Sequence, residues 1–556
     1  MSLDCSIIPE AFSIYVCIIT ITVSNKVVRF PFEFCTHKYK ALVMASLNQH
    51  LVTGSYPVEW HGHYIGGEWM KGEKRHEEKI SLNPSRGTPL ITFTTAKEMM
   101  AKAIDAAHES FESMQEIEFS KRIAIIQRMA EEFKANKDLI AKCLQLEIGK
   151  PSWEAHHDVA ATCKYLEWYA AHGAKIKDNL LAPAMVGNSK PGDYDLHPIG
   201  VCTAYLPFST PATSFGFFFT GAIIAGCPMV LVSSTQAALC TMLFTQLVSK
   251  LDLPKGVFNT VFGGFTEFKS ALEDTRVKAV IYTGSKEHCD KLRKEHKGYR
   301  NRQLILQSGG KNAALVHSSA DLDKAVRNII YGSFRSAGQL CSSTSRVFVF
   351  RSQLPEFIEK ISAAASKMPI GPTDQMADGP HDGPLMGPLY SKKSVEKFLR
   401  FQTMAHRDAL ENIYWGKEFA HESGGFFVYP GIHLMKEFDE SSAFQSNILF
   451  SPDLAIYSYD VLNEAIEKMN ATESCLSMAF FGDAHILKDR SHLFHAPNLL
   501  VNAPTTELEA HLPLAGRSLS GHHRYHGPGL ALYLSYPQAF RNNPEDDELI
   551  MTWPWP

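Results

Sequence analysis

The amino-acid sequence predicts an α/β protein with two lobes, each built around a parallel sheet. Short apolar segments alternate with helical segments in two series, the first beginning at Ile199 and the second at Gln303. This alternation is typical of βαβ units. The length of 556 residues is too great for one simple domain. Hydrophobic residues at 45% and charged residues at 21% indicate a chain that can bury a large core.

Charge and cysteine content exclude several classes of function. The 55 basic and 59 acidic residues give a net charge of −4, so no basic excess is available to bind nucleic acid. The 11 cysteines are an odd number and form no Cys-x-x-Cys pair, which argues against a disulfide framework and a structural zinc site. A reducing, cytoplasmic location is therefore expected.

The first 43 residues differ from the rest of the chain. Residues 11–25 are uncharged and rich in β-branched residues, but they are too few for a membrane helix. Acidic residues precede this run and basic residues follow it, which is the reverse of a signal peptide. We interpret residues 1–43 as a non-native or disordered extension and expect no membrane partner; a short membrane-associated tail is the alternative.

The first series of elements begins with a predicted strand over residues 63–69. A helical block follows, in which Thr95 and Glu98 form a predicted capping box and Gly149 with Pro151 supplies a stop signal. A further helix is predicted from about 153 to 174. Parallel strands are then predicted at 199–206, 229–233, 257–262 and 278–282.

The second series predicts another α/β lobe, with helices near 321–335 and 352–366. Open α/β sheets bind ligands beyond the carboxyl ends of their strands, so we expect a ligand site in the crevice between the lobes. The strands of this lobe are predicted at 303–306, 313–316, 346–350, 453–459 and 498–502.

Three motifs between Gln307 and Phe350 carry a family resemblance: a turn at Gly309–Asn312, a helix start at Ala320–Asp323 and a loop at Gly338–Cys341. In this order they resemble the aldehyde dehydrogenase superfamily, and weaker matches extend the resemblance over about residues 62–540. The segment 513–524 looks most like that of the succinylglutamate semialdehyde dehydrogenases.

The resemblance implies an aldehyde dehydrogenase-like fold with a Rossmann-like cofactor lobe, a catalytic lobe and a small β element for oligomerisation. The implied partners are a small-molecule aldehyde and further copies of the chain in a homodimer or homotetramer. The implied boundaries are 62–180 and 199–306 for the cofactor lobe, 307–510 for the catalytic lobe, and 181–198 with 525–545 for the oligomerisation element.

The implied reaction is NAD(P)-dependent oxidation of a semialdehyde to its acid through a thioester on Cys341. Nearby helix N-termini are expected to favour the Cys341 thiolate. Two positions depart from the family pattern in the chemistry. Gln307 replaces the glutamate that activates water, at a typical cost of roughly 10²–10⁴ in rate. Ser209 replaces an asparagine that donates to the oxyanion, at a cost of roughly 10²–10³.

Positions that hold the cofactor also depart from the family pattern, so the active site is predicted to be degenerate and to bind NAD or NADP weakly. Val232 and Ile448 replace the lysine and the glutamate that bind the two riboses, and Cys289 replaces a glycine and is expected to crowd the site. Four residues remain as predicted cofactor contacts: Gly263, Gly284, Ser285 and Phe450.

Other candidates are interpreted as structural. Histidines at 61, 63, 511, 522, 523 and 526 lack accompanying metal ligands at suitable spacing, so no metal is predicted. Arg517 and Arg524 lie in the segment that faces substrate in the family, although a surface role is equally open. The phenylalanines at 215 and 217–219 are expected to pack in the core.

Two alternatives to a hydrolytic aldehyde dehydrogenase stay open. One is a pseudoenzyme scaffold. The other is a CoA-acylating aldehyde dehydrogenase, in which a thiol releases the acyl group and no water-activating base is needed.

Overall fold

The computed structural model describes residues 19–23, 26–30, 56–72, 77–181, 193–297, 301–374, 383–509, 512, 515–521 and 529–540. It contains two compact units, Met1–Glu59 and Trp60–Pro556. In the first unit, strands β1 (Ile19–Val23) and β2 (Lys26–Phe30) form an antiparallel hairpin. The rest of the extension predicted over 1–43 lies outside the described residues, and its interpretation as non-native stays a prediction.

The second unit begins with two antiparallel hairpins instead of the single strand predicted over 63–69. Strands β3 (His63–Ile65) and β4 (Glu68–Met70) are joined by Gly66 and Gly67, both of which have positive φ angles. Two consecutive residues with positive φ form the tight turn that a hairpin prefers, and glycine adopts them without strain. The second hairpin consists of β5 (Glu78–Asn83) and β6 (Thr88–Thr94).

The predicted helical block is confirmed, but its predicted capping box is wrong. Ala96 is the N-cap of the first helix, and its methyl side chain has no acceptor for a cap bond. Thr95 lies before the cap and donates its backbone N–H to Glu77 O at 3.0 Å. The predicted stop is present at Gly149, which has a φ of 78°. The block comprises α1 (Lys97–Glu109), α2 (Phe111–Gln115), α3 (Phe119–Ala135), α4 (Lys137–Cys143), a π turn at Leu144–Ile148, and α5 (Ser152–Leu181).

The first seven-stranded sheet has the order β12-β11-β8-β9-β10-β3-β4, and the pairs from β12 to β10 are parallel. This confirms the four strands predicted for the first series, with boundaries that differ from the prediction by up to two residues. The assignment of strand 303–306 to the second lobe is wrong, because β12 pairs with β11 of this sheet. The segment contains β7 (Asp193–Pro198), β8 (Val201–Leu206), α6 (Pro211–Ala225), β9 (Met229–Ser233), α7 (Ala238–Val248), β10 (Phe258–Phe262), α8 (Phe265–Ser270), β11 (Val277–Thr283), α9 (Lys286–His296) and β12 (Gln303–Gln307).

Helix α6 packs in the core of this lobe, as predicted for its phenylalanines. The side chains of Phe215, Phe217, Phe218 and Phe219 are all buried. The Phe215 ring stacks on Phe133 of α3 at a centroid distance of 5.7 Å. The helix therefore carries little polar surface on any side and begins where β8 ends, with Pro211 at its first turn.

The second seven-stranded sheet has the order β15-β16-β17-β14-β13-β19-β20. Strands β16 and β19 were not predicted, because their short sequences mix apolar residues with Gly, His or Ser. The lobe contains β13 (Asn312–Val316), α10 (Leu322–Phe334), β14 (Thr344–Phe350), α11 (Leu354–Ser366), α12 (Lys392–Asp408), β15 (Ala409–Tyr414), β16 (Gly431–Met435), α13 (Ala443–Ser446), β17 (Asp453–Tyr459), α14 (Leu462–Asn470), β18 (Ser474–Cys475), β19 (Ser477–Phe481) and β20 (Asn498–Val501).

The last described elements are β21 (Arg517–Ser518), α15 (Gly529–Tyr533) and β22 (Ser535–Phe540). Strand β22 pairs antiparallel with β7, with Ser535 opposite Pro198. Both strands fall within the ranges predicted to form the oligomerisation element, of which 182–192, 525–528 and 541–545 lie outside the described residues. None of the helices in the described part of the chain has the length and apolar character needed to cross a bilayer.

Candidate active site

A cleft of about 1040 Å³ lies at the carboxyl ends of the first sheet. The loops that follow β8, β9, β11 and β12 line one side of it, and loops and helix α12 of the second lobe line the other. This is the position where open parallel sheets bind ligands. The cleft contains both a cysteine, Cys341, and the first turn of α9.

Cys341 lies in the loop between α10 and β14 and is held there by its backbone. Its carbonyl oxygen accepts hydrogen bonds from the Gly310 N–H at 3.2 Å and from the Asn312 Nδ2 at 3.0 Å. Among the cysteines of the described residues, Cys341 alone is partly exposed; the others are buried. The thiol therefore has access to the cleft, which the other described cysteines lack.

The Cys341 thiol is not activated at rest. Burial raises its pKa to about 11, and the backbone N–H groups of Cys341 and Ser342 only partly oppose this effect. Desolvation of the charged form is the larger effect here, and the expectation that nearby helix N-termini favour the thiolate stays a prediction. A reaction at neutral pH requires that a proton leave the sulfur when substrate arrives.

Gln307 lies next to this thiol at the end of β12. Its side chain is fully buried, and its Nε2 donates to the Cys341 Sγ over 3.9 Å. Its Oε1 accepts no hydrogen bond from the described residues. The amide can orient the sulfur or accept a hydrogen bond from a water, but it cannot take up a proton.

Ser209 and an aromatic wall complete this end of the cleft. Ser209 follows β8, lines the cleft and is 6% exposed. The neighbouring Phe208 contacts Tyr390 at a ring-centroid distance of 4.3 Å and Phe450 at 5.9 Å. Phe450, predicted as a cofactor contact, has a φ of 62° and belongs to this wall. The wall contains residues of both lobes.

Two of the remaining predicted cofactor contacts line the cleft and one does not. Ser285 is the N-cap of α9, where its side chain accepts the His288 N–H at 3.3 Å, and Gly284 precedes it. A Cβ on Gly284 would collide with the Tyr282 side chain, so a larger residue here would displace that ring. Gly263 lies at the end of β10, outside the lining of the cleft. The helix start fits a diphosphate group, which helix N-terminal amides bind.

The two positions predicted to have lost a ribose contact differ in their surroundings. Val232 is fully buried in the sheet core and does not line the cleft, whereas Ile448 lines it. The expectation that Cys289 crowds the site is wrong, since its side chain is buried in the core of the first lobe. The residue before it, His288, faces the cleft instead.

His288 belongs to an aromatic arrangement that the sequence did not reveal. Its ring stacks on Phe265 of α8 at a centroid distance of 3.8 Å and an interplanar angle of 6°. Its Nδ1 shares a hydrogen bond of 2.8 Å with the Tyr282 Oη. Phe265 does not line the cleft, so the imidazole covers the phenylalanine ring from the cleft side.

A buried ionic cluster lies behind the Cys341 loop and was also missed. It consists of Lys150, Glu154 and Asp158, the last two on α5, and Arg335 from the loop after α10. All four side chains are buried. The four-residue spacing of Glu154 and Asp158 places them on one face of α5, and Lys150 lies four residues before Glu154; this spacing was the signal available in the sequence.

The other candidates take no part in the cleft. Arg517 is exposed and donates to the His495 carbonyl at 3.2 Å. His63 is buried and accepts the Phe262 N–H. Within the described residues no group of three or more potential metal ligands occurs. Arg524 and the histidines at 511, 522, 523 and 526 lie outside the described residues.

Comparison with known proteins identifies relatives over most of the chain. The aldehyde dehydrogenase family pattern matches residues 69–537. Succinate-semialdehyde dehydrogenase [NADP(+)] of Escherichia coli is 29% identical over 447 residues, covering 78% of this chain and 87% of that protein. The 1-pyrroline-5-carboxylate dehydrogenase of Bacillus subtilis is 28% identical over 468 residues, covering 81% of this chain and 88% of that protein.

Solved structures share the fold. The 1-pyrroline-5-carboxylate dehydrogenase from Thermus with bound NAD gives a TM-score of 0.80 at 22% identity, covering 90% of this chain and 96% of that chain. An NADP-dependent enzyme of E. coli gives a TM-score of 0.78 at 25% identity, covering 86% and 97% of the two chains. The predicted two-lobed α/β architecture is therefore confirmed.

Proposed function

Because the chain belongs to the aldehyde dehydrogenase family, we propose that it oxidises an aldehyde to an acid through a thioester on Cys341. The observation that carries this proposal is the placement of the Cys341 thiol in one cleft with the start of α9. In the reaction the thiolate adds to the aldehyde carbonyl, the carbon loses a hydride, and water cleaves the resulting C–S bond. NAD(P), when bound, would supply the hydride acceptor.

The residues around Cys341 support addition better than hydrolysis. We assign two hydrogen-bond donors to the oxyanion that forms when the sulfur adds to the carbonyl. They are the Cys341 N–H and the hydroxyl of Ser209, which stands where the family resemblance implies an asparagine donor. Gln307 donates to the sulfur over 3.9 Å but offers no base to a hydrolytic water. We therefore propose that release of the acid, rather than formation of the thioester, limits turnover.

Cofactor would be held mainly by the first turn of α9, with Ser285 and Gly284 against the diphosphate. We propose the direction of the rest of the cofactor from the position of Cys341, which lies beside Gln307 at the end of β12. The hydride acceptor would lie on that side, and the adenosine would extend towards the ends of β9 and β10. Ser234 and Gln236 line the cleft on that path, and His288 with Phe265 lies there too.

We propose a carboxylate-bearing semialdehyde as substrate. The named relatives act on succinate semialdehyde or 1-pyrroline-5-carboxylate, and both compounds carry a carboxylate. The resemblance of segment 513–524 to succinylglutamate semialdehyde dehydrogenases favours a substrate of that kind.

Two other functions are favoured by single observations. Loss of both ribose positions, at Val232 and Ile448, favours an inactive scaffold. Gln307 favours a CoA-acylating enzyme, since a thiol can release the acyl group without a water-activating base. Assay with and without coenzyme A as acyl acceptor separates these two from the hydrolytic reaction.

A homodimer or homotetramer is part of the proposal. Strands β7 and β22 form a two-stranded sheet, and each therefore has an edge without a partner strand in the described chain. Such an edge can extend the sheet of another subunit.

We predict weak binding of NAD and NADP. The two lost ribose hydrogen bonds are each worth about 0.5–1.5 kcal/mol, so affinity is expected to be about tenfold to a hundredfold lower than with both present. Calorimetric titration measures the affinity for NAD and NADP. The variant Ile448→Glu should tighten binding, because position 448 lines the cleft and the glutamate would supply the ribose hydrogen bond. Saturation of the wild type at low micromolar NAD would contradict the prediction, and no binding at all would favour the scaffold.

We also predict that His288→Ala tightens NAD binding by about two- to tenfold. An adenine that extends past α9 must displace the imidazole from Phe265, and an aromatic pair is worth about 0.5–1.5 kcal/mol. The variant uncovers the phenylalanine ring for the base. His317→Ala, which removes a ring contact with Phe480 in the other lobe, is the matched control. Unchanged or weaker binding by His288→Ala would show that the cofactor takes another path.

A further inference from the structure

The loop that leads to Cys341 has an unusual backbone. Ser336 and Ala337 have φ angles of 50° and 52°, and Gly338 follows with 68°. Left-handed conformations are unfavourable for residues other than glycine. They persist only where the surrounding structure holds them, so some contact must fix the first two residues of this turn.

Glu154 on α5 makes that contact. One carboxylate oxygen accepts the Ser336 backbone N–H at 2.9 Å, and the other accepts the Ser336 hydroxyl. The Arg335 Nε also donates to this carboxylate, at 3.4 Å. Backbone and side chain of Ser336 are therefore bound to one group, which restricts rotation about the Ser336 φ angle.

The buried ionic cluster keeps Glu154 charged and fixed. Burial raises the pKa of Glu154, but Lys150, Arg335 and the hydrogen bonds from Ser336 together lower it to about 2. Lys150 and Arg335 each also contact Asp158. The two buried carboxylates are thus paired with two buried basic side chains, where an unpaired charge would be costly, and Arg335 also contacts the partly exposed Glu507 at 3.5 Å.

We infer that Glu154 is a positioning residue that holds the Cys341 loop in the geometry needed for attack on a carbonyl. The carboxylate fixes Ser336 in its left-handed conformation, five residues before Cys341, and the turn sets the direction in which the Cys341 N–H and Sγ enter the cleft. This inference rests on the proposed function in taking Cys341 as the nucleophile, but it concerns geometry that exists without cofactor.

Two reactions of Cys341 separate positioning from mere exposure. In acylation by p-nitrophenyl acetate, the sulfur adds to the ester carbonyl, a C–S bond forms, and p-nitrophenolate leaves as the C–O bond breaks. The transient tetrahedral oxyanion is stabilised by a hydrogen bond from the Cys341 N–H. In alkylation by iodoacetamide, the sulfur displaces iodide and no oxyanion forms. The ratio of the two rates therefore reports donor geometry, whereas a loosened loop alters thiol exposure for both reactions.

We expect Glu154→Gln to lower this ratio about tenfold, which is roughly the rate equivalent of one left-handed residue. The double variant Glu154→Gln with Ser336→Gly should recover most of the loss, because glycine accepts a φ of 50° without strain. The matched control is Asp323→Asn, which removes an exposed carboxylate paired with Lys360 and should leave the ratio unchanged.

An unchanged ratio in folded Glu154→Gln, or no recovery in the double variant, would overturn the inference. If Glu154→Gln does not fold, Ser336→Ala keeps all four charges and should lower the ratio severalfold; an unchanged ratio there would overturn it as well. A wild type that the ester cannot acylate also overturns it. Failure of the proposed function is seen separately, as acylation of Cys341 without any NAD(P) binding.

Discussion

Replacing Gln307 by Glu is expected to raise the rate of thioester hydrolysis on Cys341 by roughly 10²–10⁴, the usual contribution of a positioned general base. The amide already lies beside the sulfur, with its Nε2 3.9 Å from the Cys341 Sγ, so a carboxylate of the same length would reach the same place. Full burial of this position raises the pKa of a carboxyl group. A raised pKa brings the base closer to neutral pH, where proton transfer from water is most efficient.

The measurement uses an ester substrate, because acyl transfer to Cys341 and its hydrolysis need no cofactor. Steady-state release should rise in Gln307→Glu, and the initial burst should shrink, because acyl-enzyme accumulates only while hydrolysis is slower than acylation. Gln303→Glu, at the exposed start of the same strand, adds the same charge away from the thiol and serves as the control. The gain should vanish when Cys341→Ala is added.

Adding Ser209→Asn should raise the acylation rate further, since a longer donor can reach the oxyanion; one such donor is worth roughly 10²–10³. The two gains are not expected to multiply fully, because both groups serve one reaction path. No gain in the folded double variant would mean that the pocket no longer admits a productive ester, and the scaffold function would then be preferred.

The sequence was sufficient to predict the parallel strands of the first sheet and four strands of the second, because these strands are short, apolar and separated by helices. Strand β17 was predicted at the residues where it occurs, and the central strands of the first sheet were placed within two residues. The motif around Cys341 likewise placed the thiol correctly in a cleft at the sheet ends. Both results depend on local patterns that tertiary packing reinforces.

Contacts between distant segments could not be predicted in the same way. His288 and Phe265 belong to helices that follow different strands, and only the fold brings their rings to 3.8 Å. The capping box failed because Thr95 is bound to the neighbouring strand. The sequence likewise could not show how deeply Cys341 is buried, and this burial raises the pKa of the thiol.

Replacing Arg335 by Met is expected to lower the free energy of unfolding by about 3–5 kcal/mol, the usual cost of removing one partner from a buried ion pair. Arg335 contacts both Glu154 and Asp158 and is 5% exposed. Its removal leaves Lys150 as the sole basic partner of two buried carboxylates. Methionine has a similar length, so the loss reflects uncompensated charge more than an empty volume.

Urea unfolding followed by circular dichroism measures this effect, with Arg351→Met as the control. Arg351 and Asp460 form an ion pair in which both side chains are about 60% exposed, and such pairs contribute about 0–1 kcal/mol.

In the wild type the Glu154 pKa lies below its ordinary value of 4.5, at about 2. The stability due to this carboxylate is therefore present above pH 4.5 and is lost as pH falls towards 2. Removal of Arg335 weakens the pKa depression, so the stability difference between wild type and Arg335→Met should narrow over that interval. A loss no larger than that of Arg351→Met at neutral pH, or a difference that stays constant on acidification, would show that the buried charges do not depend on Arg335.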